Sequence, residues 1–218
     1  MKITYYLDLI SHWCYRVEPA WAELKKRYAG RVQFEWKSAC IDPKLLGVTA
    51  AQEEWWYRRG DAVTGRPLTL HTGWVNPDRS PDYTAPHYVA EASREFGYQD
   101  DTVRLALMRA ALVDGRRISR MEEAVAIAAA VTGLTAEKIR ARAESAEVKA
   151  RVEASTAEFF AHRITERPAF ILEDEIGDKT VFSGLLQIEP LAATIEAMLA
   201  DTAAYARFAA ANGEPPKH

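Results

Sequence analysis

Ser11-His12-Trp13-Cys14 stands where a short β-branched and aromatic segment gives way to an amphipathic one, and these four residues are where thiol chemistry could reside. Cys14 and Cys40 are the only cysteines among 218 residues, so no disulfide framework and no cysteine-based zinc site supports the fold. A helix starting after Ser11 would present unsatisfied backbone N–H groups and roughly half a positive charge, favouring an anion there. Ser11 cannot supply that anion as a thiolate, because a hydroxyl forms no mixed disulfide; two-thiol turnover within the motif is excluded. Its hydroxyl can instead donate to the thiolate of a bound thiol cofactor. Such a bond is worth about 1.5–3 kcal/mol, enough to lower a thiol pKa by about 1–2 units. The plainer role for Ser11 is a helix N-cap. His12 could stabilise a nearby thiolate or assist proton transfer, or could lie in solvent. Cys14, one turn into the helix, reads as a small buried apolar residue or as a lone nucleophile. Cys40 reads as a bystander.

These residues need elements to position them. Ile3 to Leu9 is too short for a typical helix and reads as a buried strand ending near Asp8. Val17, Trp21, Leu24 and Tyr28 recur at helical spacing, with Pro19 inside the run and Gly30 at its end. Val32, Phe34 and Trp36 alternate with polar residues as a second strand. Asp42 to Pro86 is dense in Pro, Gly and Asp and reads as loops around one short helix. Helices are expected over 87–96, 101–113, 119–131 and 135 to about 162, the last with a break. Ser119 and Glu122 match a capping box, and Gly133 followed by Thr135 matches a helix stop and a new N-cap. Ala169 to Leu172 and Thr180 to Phe182 flank an acidic turn, and Ile188 to Leu199 closes as a helix; residues 203–218 show no firm pattern. The expected organisation is 1–41 as the first half of a split sheet domain, 42–162 as a helical insertion, 163–202 as the second half, and 203–218 as a tail.

The formal net charge of −3 comes from 28 basic and 31 acidic residues mixed along the chain, giving no field to draw in nucleic acid or an anionic membrane. Neither a signal peptide nor a run of transmembrane length is apparent, so a cytoplasmic location is expected. Trp55, Trp56, Tyr57 and Trp74 could line an apolar pocket facing Ser11, or could be core. His71, His87 and His162 show no metal-ligand spacing, and no metal is expected.

Four landmarks in order carry a resemblance over roughly residues 2 to 201. They are Ser11-His12-Trp13-Cys14, with Pro19 five residues on; Thr165-Glu166-Arg167-Pro168-Ala169-Phe170; Phe182-Ser183-Gly184; and the helical middle with Ile118-Ser119 and Gly133-Leu134. Together they resemble the DsbA group, which includes FrnE-like oxidoreductases, 2-hydroxychromene-2-carboxylate isomerases and kappa-class glutathione transferases. The resemblance implies an α/β thioredoxin-like fold with an inserted all-helical domain, and a cis-proline at Pro168. Ser11 takes the position of the first cysteine of C-x-x-C and Cys14 the second. It further implies glutathione or another low-molecular-weight thiol as cofactor, bound by Ser11, the backbone of Arg167 before Pro168, Gly184 and Gln187. The candidate catalytic residues are Ser11, His12 and Cys14. Kappa relatives often carry an acidic residue after the glycine that ends the fourth strand; here Leu185, Leu186 and Gln187 follow Gly184. His12 and Cys14 also set the chain apart from the isomerase and kappa members, whereas Trp13 and Cys14 match FrnE-like proteins. The implied function is a thiol-dependent isomerase or transferase acting on a small electrophilic, aromatic molecule. The alternatives are an oxidoreductase using Cys14 alone and a non-catalytic binding module or chaperone. A homodimer is the expected assembly.

Overall fold

A computed structural model describes residues 1–42, 44, 48–73 and 83–213. Strand β1 (Lys2–Leu7) leads into helix α1 (His12–Arg27) and strand β2 (Gln33–Ser38). Helices α2 (Ala50–Thr64), α3 (Ala85–Arg94), α4 (Thr102–Leu112), α5 (Met121–Thr132), α6 (Ala136–Ala143) and α7 (Ala146–Ala161) follow, and strands β3 (Ala169–Glu173) and β4 (Lys179–Ser183) precede helix α8 (Ile188–Asn212). The strands form one sheet in the order β2-β1-β3-β4, with β1 parallel to β2 and antiparallel to β3, and β3 antiparallel to β4. The two split halves therefore make one sheet, and their connection runs through the helical segment.

Period-two alternation sends successive side chains of β1 to opposite faces. Ile3, Tyr5 and Leu7 enter the main core with Trp21 and Leu24 of α1 and Ile195 of α8, while Tyr6 packs on the other face with Ala169, Ile171 and Phe159 of α7. Tyr5 stacks on Phe170 at 4.9 Å and leans on Trp21 at 5.0 Å. Its hydroxyl donates to Glu18, which also receives two bonds of 2.6 and 2.8 Å from the buried Arg104 of α4. Arg104 holds Asp101 as well, at 2.7 Å. This charge network fixes α1 against α4.

Several elements depart from expectation. The short helix between β2 and α3 is the 15-residue α2, started by a capping box in which Thr49 and Gln52 exchange side-chain and backbone bonds. Ser119 does not cap α5: the N-cap is Arg120, without a side-chain bond, because the turn closed by the Arg120 N–H on Arg117 O carries Ser119 one residue short of the helix. Gly133 ends α5 in the left-handed region, and Thr135 caps α6 by accepting from Lys138 N. The long helix breaks at Ser145, which caps α7. Helix α8 runs on through 203–212, where no firm structure was expected; alanine-rich composition sustains a helix that lacks a core-facing stripe. Tyr205 and Phe208 there are 65% and 68% exposed. Trp74 and residues 214–218 lie outside the described residues. Among the described residues no helix is long and apolar enough to cross a membrane.

Candidate functional site

The site lies where β1 and β2 end side by side. Asp8, the residue immediately after β1, is the hub: its carbonyl accepts from Ser11 N at 3.2 Å, and its carboxylate accepts from Ile10 N at 2.9 Å and Ile41 N at 2.7 Å. These bonds pin the start of α1 to the loop after β2. Ser11 is the N-cap of α1 in an extended conformation, and its Oγ accepts from Cys14 N at 3.3 Å. The cap uses a lone pair and leaves the hydroxyl hydrogen to donate.

Cys14 has no exposed surface. Burial pushes its thiol up to about 12, with the Ser11 hydroxyl within hydrogen-bonding reach pulling the other way. His12 is 7% exposed, sandwiched between Trp13 and the edge of Tyr57, and its Nδ1 has no hydrogen-bond partner. Burial, followed by the cations of Arg16 and Arg59, brings its pKa down to about 4. The imidazole is therefore neutral at pH 7 and supplies no positive charge to a thiolate.

Two adjoining clefts flank α1. One, of about 350 Å³, is lined by Trp13, Val63, Thr64, Glu166, Arg167 and the run Gly184 to Gln187. The other, of about 470 Å³, is lined by Tyr15, Arg16, Glu18, Pro19, Arg66, Leu68, Leu105 and Arg109, and shares Thr64, Leu186 and Gln187 with the first. Arg16 closes the wall between α1 and α2: its guanidinium, 2% exposed, donates to Asp61 at 2.6 Å, to Tyr57 O at 3.1 Å and to Arg66 O at 3.1 Å. Gly60 is required under it, since a Cβ there would lie 2.7 Å from Arg16 Nε.

The structure thus gathers Trp13, Arg167, Gly184 and Gln187 around one cleft, while Ser11, His12 and Cys14 are not among its lining residues. The Arg167–Pro168 peptide is cis, and Pro168 O accepts from Gly184 N at 2.7 Å. The Arg167 side chain turns away from any cofactor carboxylate: it donates to Ala39 O and to Cys40 O at 2.8 Å and lies 4.4 Å over the ring of Phe159. Among the described residues its backbone N–H and C=O make no hydrogen bond. The aromatic patch of α2 does not line either cleft. Trp55 is 59% exposed under Arg59 and Tyr57 packs on His12, so α2 contributes Val63 and Thr64 instead.

Two features escaped the reading of the sequence. Glu166 brings a carboxylate into the cleft beside Gly184, from the segment before β3. Acid–base pairing also ties His87 of α3 to Asp8 at 3.4 Å and to Ser38 Oγ at 2.9 Å. Burial alone would depress His87, yet the Cys40 side chain and the Asp8 carboxylate beside it lift it to about 10. Among the described residues no group of three or more His, Cys, Asp or Glu side chains could hold a metal ion.

The depressed His12 gives a pH prediction. Unfolded His12, titrating near 6.5, binds a proton that the folded imidazole refuses until about pH 4, so stability is lost as pH falls through that window. This one group is expected to cost up to about 3 kcal/mol by pH 4. His12→Phe, which stays neutral and leaves no bonded partner behind, should flatten the loss between pH 6.5 and 4 in urea denaturation. An unchanged slope would contradict the burial assigned to His12.

Residues 2–196 match the family model described as DSBA-like thioredoxin domain. The cytosolic disulfide reductase DsbM from Pseudomonas aeruginosa is similar in structure, with a TM-score of 0.71 and 19% identity, covering 91% of this chain and 98% of that one. A structure of the same reductase with GSH matches with the same TM-score and identity, over 91% of this chain and 99% of that one. The 2-hydroxychromene-2-carboxylate isomerase matches with a TM-score of 0.62 and 14% identity, over 94% and 99%. None of the curated proteins compared matches this chain.

Proposed function

Because the chain belongs to the DSBA-like thioredoxin domain family, we propose that it holds a low-molecular-weight thiol, glutathione or a related one, at the N-terminus of α1 and serves as an isomerase or transferase for a small electrophilic, aromatic substrate. The observation that carries this reading is the state of the motif. Cys14 is fully buried and its thiol is pushed up to about 12, while Ser11 offers a hydroxyl at a helix N-terminus. The motif can stabilise a thiolate and does not present one, so the reacting sulfur comes from a bound molecule.

The residues present fit such a molecule. Ser11 Oγ has a hydrogen to donate, and the neutral Cys14 sulfur within its reach is a weak acceptor that a thiolate outcompetes. The Arg167 backbone supplies one donor and one acceptor for strand-like pairing with a peptide-like thiol. Glu166 and Gln187 face the same cleft and suit an ammonium group, replacing the acidic residue missing after Gly184. A bound thiolate would supply a nucleophilic sulfur that can add to an activated double bond and leave again. His12 is neutral at pH 7 and, with its pKa brought down to about 4, serves there as a hydrogen-bonding group and not as a proton carrier. Leu68, Leu105 and Leu186 give the adjoining cleft an apolar wall suited to an aromatic substrate, and Arg66 and Arg109 give it a cationic rim. The glutathione-bound state of the disulfide reductase and the isomerase among the structural relatives support this reading.

Calorimetric titration with glutathione and with S-methylglutathione at pH 8 tests it. Glutathione should bind about tenfold more tightly than its methylated form, because only the free thiol can receive the Ser11 bond as a thiolate. Ser11→Ala should bring the two together. Equal affinities in the unmodified protein, or no binding at millimolar glutathione, would overturn the proposal.

A further inference from the structure

His87 lies in the first turn of α3, whose start Pro86 sets. Its Nε2 is 3.4 Å from Asp8 Oδ2 and 3.5 Å from Leu9 N, and its Nδ1 pairs with Ser38 Oγ at 2.9 Å, so both ring nitrogens are committed to the ends of β1 and β2. Asp8, His87 and Ser38 are all buried. Asp8 in turn reaches both halves of the thiol site. On one side its carbonyl accepts from Ser11 N at 3.2 Å and its Oδ1 from Ile10 N at 2.9 Å, which shapes the turn that starts α1. On the other its Oδ2 accepts from Ile41 N at 2.7 Å, and the carbonyl of the preceding residue, Cys40, accepts from Arg167 Nη2 at 2.8 Å, next to the cis-proline. A carboxylate on two rotatable bonds keeps two loops in one relation only if it is itself fixed. The clamped imidazole fixes it.

We propose that His87 is the positioning residue of the thiol site: through Asp8 it sets where the Ser11 hydroxyl stands relative to the Arg167 backbone. Its functional consequence rests on the reading that a thiol binds at Ser11, whereas the positioning itself is a property of the ligand-free chain. The sulfur of a bound thiol takes the Ser11 bond and its peptide end pairs at Arg167, so the two must keep one spacing for both contacts to form together. A hydrogen bond weakens steeply as its angle opens. Drift in the turn from Asp8 to Ser11 would therefore cost the thiolate bond first and leave the peptide-end contacts largely intact. Ser11 and Arg167 belong to the two halves of the split sheet domain and His87 to the helical segment between them, which makes that segment part of the site. His87 touches no reacting atom and acts through Asp8.

Two measurements on the full-length protein test it. In the ligand-free protein, amide exchange followed by NMR should speed up at least about tenfold at Ile10, Ser11 and Ile41 in a folded His87→Leu, relative to Ile195 in the buried part of α8. In calorimetric titration the same variant should prefer glutathione over S-methylglutathione by about twofold or less instead of about tenfold, with affinity for the methylated form nearly unchanged. His87→Gln, whose side-chain amide can still bond Asp8, should restore most of both. Asp8→Asn should cause the same loss of preference, and adding His87→Leu to it should cost no more, because the two act in series. Unchanged exchange at the three amides, a preference that survives in His87→Leu, or losses that add in the double variant would each overturn the proposal. Where His87→Leu does not fold, Ser38→Ala, which frees the ring without altering Asp8, takes its place with the same expected direction. If the unmodified protein binds no glutathione, the thiol reading fails and the exchange measurement alone decides the positioning.

Discussion

Arg104→Leu is expected to destabilise the protein by about 3–5 kcal/mol, the cost of leaving one member of a buried ion pair without its partner. Arg104 has no exposed surface, and both its terminal nitrogens hold Glu18. Without it, the Glu18 carboxylate stays in the core with Tyr5 OH as its remaining donor, and Asp101 loses its 2.7 Å partner. The consequence extends to the site. Glu18 precedes Pro19 on the wall of the larger cleft, so the same pair sets how α1 lies against α4. Urea denaturation should show the loss at an unchanged slope. The double variant Glu18→Gln with Arg104→Leu should recover part of it, because the uncompensated charge is gone. A single-variant loss under about 1 kcal/mol would mean that water reaches Glu18 and that the network is not buried as described.

Ser11→Cys is expected to create a two-thiol redox centre in a motif that now has none. The Ser11 hydroxyl already lies within hydrogen-bonding reach of the Cys14 sulfur, so a thiol in its place would stand beside a buried partner. The helix N-terminus that favours an anion would favour the new thiolate. Insulin reduction driven by dithiothreitol should rise at least about tenfold over the unmodified protein, and Cys14→Ala in that background should remove the gain. If the unmodified protein already reduces insulin at the rate of the variant, and Cys14→Ala abolishes this, the reading of Cys14 alone as an oxidoreductase thiol would replace the one proposed.

Much of the architecture was legible because it is written in periodicity. The short β-branched and aromatic run from Ile3 to Leu7, the alternation in Val32 to Trp36, and the spacing of Val17, Trp21, Leu24 and Tyr28 report which side chains leave water, and burial follows those patterns. Terminators with a local mechanism were legible too, as at Gly133 and Thr135. What stayed hidden depends on long-range packing. Helix α2 was read as short although Thr49-x-x-Gln52 marks its start, because its Gly60 and exposed Trp55 blur any apolar stripe. Residues 203–212 form a helix from propensity alone, with little core to betray it.

At the site, the sequence named residues on separate elements but not how they face. Gly184 and Gln187 share a cleft with Trp13. The Arg167 side chain staples Ala39 and Cys40 through their carbonyls, a role that its position before Pro168 does not reveal. The pairing of Asp8 with His87 was not legible because the two lie far apart in the chain, and only the packing of α3 against the end of β1 brings them together.

The central claim is that Ser11 stabilises the thiolate of a bound molecule, and its most direct test is a pH titration of thiolate absorbance with glutathione bound, in the unmodified protein and in Ser11→Ala. Ser11→Ala deletes one side-chain donor but keeps the helix N-terminus, and the contacts offered by the Arg167 backbone and Glu166 are untouched. The bound thiol should therefore titrate about 1–2 units higher in Ser11→Ala, while affinity for the cofactor as a whole falls less. Subtracting each protein's own titration without glutathione removes the contributions of Cys14 and Cys40. A bound-thiol titration that is the same with and without the Ser11 hydroxyl would contradict the account and leave Ser11 as a helix cap.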